Sequence, residues 1–179
     1  YGVDKKNGKN VGNSYSEGIR QAFRTFSTKP RRRAGIIKEV SPAMMNLPSE
    51  ITICEVGLRD GLQNEKTIVS TEDKLSLLRD LVDAGFPVIE VGSFMHPKKV
   101  PQMADTDDLF KALVNEFPGV EFRALIPNLR GVQRAADCGC KKVKLNVSAS
   151  REHNLKNLNM TPEESVAGFA DCVKAAAEH

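Results

Sequence analysis

The stretch that decides the fold is Ile51-Thr52-Ile53-Cys54 followed by EVGLRDGLQNE, residues 55–65. The first four residues are β-branched and apolar, the composition of a strand. Directly after them come a cation (Arg59), a carboxylate (Asp60), an amide (Gln63) and a second carboxylate (Glu65), with Gly57 and Gly61 bracketing the Arg-Asp pair. Charged side chains packed into a glycine-flanked loop at a strand end point to a site more than to a solvated surface.

Working outward, the same unit recurs: short apolar strand, loop, amphipathic helix. The first strand covers 51–56. Ser70-Thr71-Glu72-Asp73 reads as a helix cap with acids in the first turn. Leu75, Leu78 and Val82 then share one helical face, and Gly85 ends the helix. A second strand at 87–91 leads to a helix over 105–116, with Leu109, Leu113 and Val114 inward. A third strand at 121–126 precedes a helix capped by Asn128, with Val132, Ala135 and Ala136 inward and Gly139 as its stop. A fourth strand spans 142–147. Thr161-Pro162-Glu163-Glu164 reads as a capping box with Pro at the first helical position. Val166, Phe169, Ala170 and Val173 follow at helical spacing.

Alternating strands and helices imply a parallel sheet. Four units fit a small open α/β sheet or the first half of a (β/α)8 barrel, which needs about 250 residues. The glycine-rich phosphate loops of nucleotide binders are absent. Polar residues gather where each strand ends: Arg59, Asp60 and Gln63; then Glu90, Ser93, His96, Lys98 and Lys99; then Asn128 and Arg130; then Ser148, Ser150, Arg151, His153 and Asn154. In a parallel α/β protein these ends share one face, where ligands bind.

Charge divides the chain. Residues 1–50 carry ten Lys/Arg against four Asp/Glu, and residues 51–179 carry sixteen against nineteen. The body is therefore mildly acidic, which argues against nucleic acid as its partner. No apolar run approaches the roughly 20 residues that cross a membrane. The four cysteines fit no disulfide framework. Cys138-Gly-Cys140 is a weak metal or redox hint beside an ordinary reduced pair, and a reducing compartment is expected. Residues 1–48 read as a basic leader, disordered at first and weakly helical over 15–26. Its Arg-rich, Ser-containing composition fits mitochondrial matrix targeting, with Arg24-Thr25-Phe26-Ser27 like a processing junction; the other destination is the cytoplasm. Residues 49–179 form the folded body.

The segments EVGLRDGLQNE (55–65), IEVGSFMHPKKVPQMAD (89–105), IPNLRG (126–131) and NLNMTPEES (157–165) resemble hydroxymethylglutaryl-CoA lyases, metal-dependent enzymes with a TIM barrel. The resemblance implies the first four β/α units of such a barrel. It implies cleavage of 3-hydroxy-3-methylglutaryl-CoA to acetyl-CoA and acetoacetate, the step shared by leucine degradation and ketone-body formation. The residues that match the family's motif are Arg59 as enolate stabiliser, Asp60 as ligand to Mg²⁺ or Mn²⁺, Gln63 as an active-site amide and Glu90 as a catalytic or orienting carboxylate. Ser93 and His96 match as substrate contacts, and Glu55 as a buried ion-pair partner. An acyl-CoA thioester is the implied partner, and a homodimer the implied full-length assembly. Leu58, where such lyases often carry Pro, and Val91-Gly92, in place of a Thr-Thr-like pair, depart from the pattern. The family's H-x-H pair, Asn ligand and glycine-flanked cysteine have no counterpart here, so the chain reads as a partial lyase, inactive alone. The alternatives are a Claisen-condensing synthase of the isopropylmalate, homocitrate or citramalate type, or an inactive half-barrel.

Overall fold

The structure, a computed structural model, describes residues 48–113 and 116–179; the expected leader and Val114 lie outside the described residues. Within the compact unit Cys54–His179, a four-stranded parallel sheet runs in the order β1-β2-β3-β4. Its strands are β1 (Cys54–Glu55), β2 (Val88–Ser93), β3 (Glu121–Leu125) and β4 (Val143–Lys144). An open doubly wound sheet reverses its strand order partway. Sequential order with every neighbour parallel is instead what a barrel requires. The right hand of β-α-β crossovers then places all the helices on one face of the sheet.

The helices follow local signals. In α1 (Thr71–Asp83) the Ser70 hydroxyl accepts from the Asp73 N–H at 3.1 Å. Gly85, at φ +87°, closes that helix in a conformation glycine adopts at little cost. A short 3-10 turn (Pro101–Met103) leads into α2 (Thr106–Leu113). Asn128 caps α3 (Leu129–Asp137), its side chain accepting from Gly131 N–H. In α5 (Pro162–Ala177) the Thr161 hydroxyl takes the Glu164 N–H while the Glu164 carboxylate takes the Thr161 N–H, a complete capping box. The core between sheet and helices is built from Leu78, Leu81, Ile89, Val91, Leu109, Phe110, Ala124, Ile126, Val132 and Ala135.

Four expectations need correction. The outer strands are shorter than their apolar runs: β1 and β4 are two residues each, and among the described residues each pairs on one side only. An unexpected helix, α4 (Arg151–Leu158), follows β4; Ser150 caps it and Asn159, at φ +56°, ends it. On α5 the buried side chains are Ser165 and Cys172, whereas Val166 and Val173 are exposed. The helix is rotated so that its Cys172 side joins the core. Glu55 is half-buried, and its carboxylate accepts the Gly57 N–H at 2.9 and 3.0 Å in place of a cation.

Candidate functional site

The segment after β1 is a single π-helical turn, Gly57–Gly61, not an open loop. Leu58 anchors it in the core, which turns Arg59 across the sheet toward β2. Arg59 Nε donates to Glu90 Oε1 at 2.5 Å, and its Nη1 donates to Asp60 Oδ1 at 2.6 Å. Glu90, mid-strand in β2, is 1% exposed. Its second oxygen, Oε2, accepts from Lys144 Nζ at 2.7 Å. Charges thus alternate along a chain from β4 to the turn after β1: Lys144, Glu90, Arg59, Asp60. A carboxylate this deeply buried is costly unless both oxygens are engaged, and here each holds a cation. The Asp60 side chain, at the far end, is 59% exposed.

A cleft of about 740 Å³ opens beside this chain, where all four strands end. Arg59, Asp60 and Gln63 line it from the β1 side, Met95 and Val100 after β2, Ile126 and Asn128 after β3, and Asn146 and Ser148 after β4. Gln63 Oε1 is buried there without a hydrogen-bond partner. An acceptor left unsatisfied costs roughly 1–3 kcal/mol, so its presence in a cleft wall marks a position where a ligand group or water is expected. Across the cleft, Ser148 Oγ and His153 Nδ1 stand 2.7 Å apart, and the Ser148 N–H is held by Asn154 Oδ1.

The structure brings Arg59, Asp60 and Gln63 to the cleft and sets Glu90 directly behind them. It does not bring Ser93 or His96 to the cleft wall. Ser93 is fully buried, its hydroxyl accepting the Met95 N–H, and its backbone bonds Thr106 Oγ1. His96 is exposed and spends Nδ1 on the Lys98 N–H. Lys144 carries no assignment from sequence; its signal is a lysine inside the apolar run Val143-Lys144-Leu145.

Cys138 and Cys140 are buried and unpaired, donating to the carbonyls of Ala135 and Lys142. Burial pushes the Cys140 thiol up to about 12 and raises Cys138 as well, so both resist ionisation as they stand.

Residues 50–179 match the HMGL-like family. Among curated relatives, mouse mitochondrial hydroxymethylglutaryl-CoA lyase is 44% identical over 161 residues, 88% of this chain and 47% of that protein. The solved HMG-CoA lyase of Bacillus subtilis superposes with a TM-score of 0.70 at 39% identity, covering 75% of this chain and 45% of that one. An HMG-CoA lyase from Acinetobacter baumannii, solved with coenzyme A and 3-methylmalate, superposes with a TM-score of 0.65 at 40% identity, covering 69% of this chain and 40% of that one. The chain spans about half the length of the curated relatives it matches. A body matched without a break from residue 50 to residue 179, folded as successive parallel β/α units with its polar groups at the strand ends, belongs to the HMGL-like family.

Proposed function

We propose that this chain supplies the thioester-facing half of an acyl-CoA lyase that cleaves 3-hydroxy-3-methylglutaryl-CoA to acetyl-CoA and acetoacetate. The observation that carries the reading is the Arg59 guanidinium, fixed between buried Glu90 and exposed Asp60 at the cleft wall. In this retro-Claisen reaction the tertiary hydroxyl gives up its proton and becomes the ketone of acetoacetate. The bond between the second and third acyl carbons breaks, and its electron pair passes to the thioester as an enolate. A proton delivered to the enolate carbon then yields acetyl-CoA. The charge that develops on the thioester oxygen needs a positioned donor. Arg59, pre-oriented by two ion pairs, meets that need without reorganising.

The residues present fit part of a divalent-ion site. Asp60 offers a half-exposed hard oxygen, and Gln63 Oε1 is an orphaned oxygen on the same wall. No group of three or more His, Cys, Asp or Glu gathers to hold a metal among the described residues. Asp60 would therefore hold Mg²⁺ or Mn²⁺ together with substrate oxygens and ligands from outside these residues. Such an ion would lower the cost of ionising the substrate hydroxyl.

Calorimetric titration of the chain with 3-hydroxy-3-methylglutaryl-CoA in Mg²⁺ tests this. Binding is expected, with a loss of roughly tenfold or more in Arg59→Met and in Asp60→Asn, as for a charge-assisted hydrogen bond. Binding that ignores both substitutions overturns the reading. The Arg-rich leader extends it to the mitochondrial matrix, and the mouse relative is named as mitochondrial. A fluorescent fusion of residues 1–48 that stays in the cytosol would end that part.

A further inference from the structure

The reaction drawn above leaves Lys144 without a task. Its ammonium crosses β3 to reach Glu90, 54 residues away in sequence. Register explains the reach. Glu90 pairs with Arg123, and Leu125 pairs with Lys144. Paired residues of a parallel sheet point to the same face, as do alternate residues of one strand. Glu90 and Lys144 therefore share the face opposite the helices, separated by a diagonal over β3.

The consequence falls on Arg59. A carboxylate with one arginine partner frequently forms a two-pronged fork, both oxygens bound by the same guanidinium. Here Lys144 holds Oε2, so Arg59 makes one bond to Glu90, from Nε to Oε1. Its Nη1 is turned to Asp60, and its Nη2 has no partner among the described residues.

We propose that Lys144 is a positioning residue: by holding Glu90 Oε2 it denies Arg59 the fork and keeps a guanidinium edge free for the thioester oxygen. This rests on the reading that the cleft takes an acyl-CoA. It predicts that neutralising position 144 lets Arg59 turn fully onto Glu90 and blinds it to ligand, without emptying the core.

Nitrogen-15 NMR of arginine side chains in the 179-residue chain, with 3-hydroxy-3-methylglutaryl-CoA as the probe, tests it. In the unsubstituted protein the Arg59 Nε–H signal is expected to move on addition of the thioester. In Lys144→Met the free protein should already show an altered Arg59 signal, its response to thioester should vanish, and affinity should fall roughly tenfold. Lys144→Arg, which keeps a cation on Oε2, should restore both. Lys144→Leu, neutral and unable to donate to Oε2, serves if the methionine variant fails to fold, and should behave like it. An Arg59 signal that ignores thioester in the unsubstituted protein overturns the acyl-CoA reading and this proposal together. A response that survives in Lys144→Met, or in Lys144→Leu where that variant serves, overturns the proposal alone. So does a loss that Lys144→Arg fails to repair, because length and not charge would then be the cause.

Discussion

Glu90 holds two cations while showing 1% of its surface to solvent. Breaking a buried ion pair by removing one member costs about 3–5 kcal/mol, because the remaining charge is left uncompensated. Glu90→Gln leaves Arg59 only its Asp60 partner and leaves Lys144, whose side chain is 34% exposed, with no carboxylate, so the unfolding free energy from urea melts should fall by about 3 kcal/mol, the lower end of that range. Adding Lys144→Met to it should return part of the loss, and a double-mutant cycle measures the coupling. Gln63 should behave in the opposite way. Its Oε1 is already unsatisfied, so Gln63→Met should leave the fold unchanged or stabilise it by about 1 kcal/mol, while weakening thioester binding. Cys140 sets an alkaline limit. Its folded thiol is held at about 12, above the usual thiol range near 8.5. Above that ordinary value the unfolded chain releases the proton while the folded chain keeps it, so stability falls as pH rises between the two. Urea melts at increasing pH should show this decline, and Cys140→Ala should flatten its share of it. Arg59, Asp60 and Gln63 were legible as a group because the glycines isolate them in one short segment. Lys144 was not, since nothing local tells which residue lies across a neighbouring strand.

At the scale of elements, the contact of β2 with α2 is the tightest joint. A side chain at Gly92 would bring its Cβ to 2.5 Å from Thr106 Oγ1 and 2.9 Å from Thr106 Cγ2. Thr106 cannot step aside: it is fully buried, and its hydroxyl donates to Met103 O at 2.9 Å and also bonds the Ser93 backbone. Gly92→Ala should therefore destabilise by about 1–3 kcal/mol, the usual cost of overpacking. A thermal melt within a degree of the unsubstituted protein would contradict this. Most helix starts were legible because Ser70, Asn128 and Thr161 are local capping signals that act in the structure as in the sequence. Helix α4 was not, because REHNLKNL has no apolar stripe, and its single buried side chain is Asn154. The inward face of α5 was not legible, for a related reason. Helical spacing finds an apolar stripe at Val166 and Val173, but packing chose the side with Ser165 and Cys172. Periodicity locates a helix and leaves its rotation to its neighbours.

Among the described residues the body is a parallel sheet with two open edges, β1 and β4. Edge strands present unpaired N–H and C=O groups and invite another strand. The face opposite the helices carries Glu90 and Lys144, and in a closed barrel that face is the interior. Alternating strands and helices were legible from the sequence as successive β/α units, but an open sheet and part of a barrel share that pattern. Strand order, which depends on long-range pairing, separates them. The edges and the charged inner face together lead to a test at this scale. The part of the Bacillus subtilis lyase that this chain does not match should complete the sheet from both sides. Produced separately and mixed with this chain, it should co-elute as a one-to-one complex on size exclusion. Cleavage of 3-hydroxy-3-methylglutaryl-CoA should appear only in the mixture with Mg²⁺ and disappear when the chain carries Arg59→Met. Co-elution with Arg59→Met but without cleavage would separate assembly from chemistry, since Arg59 contacts Glu90 and Asp60 within this chain and neither open edge. Separate elution would show that the two strand edges do not fit, and the barrel reading of this body would fail with it.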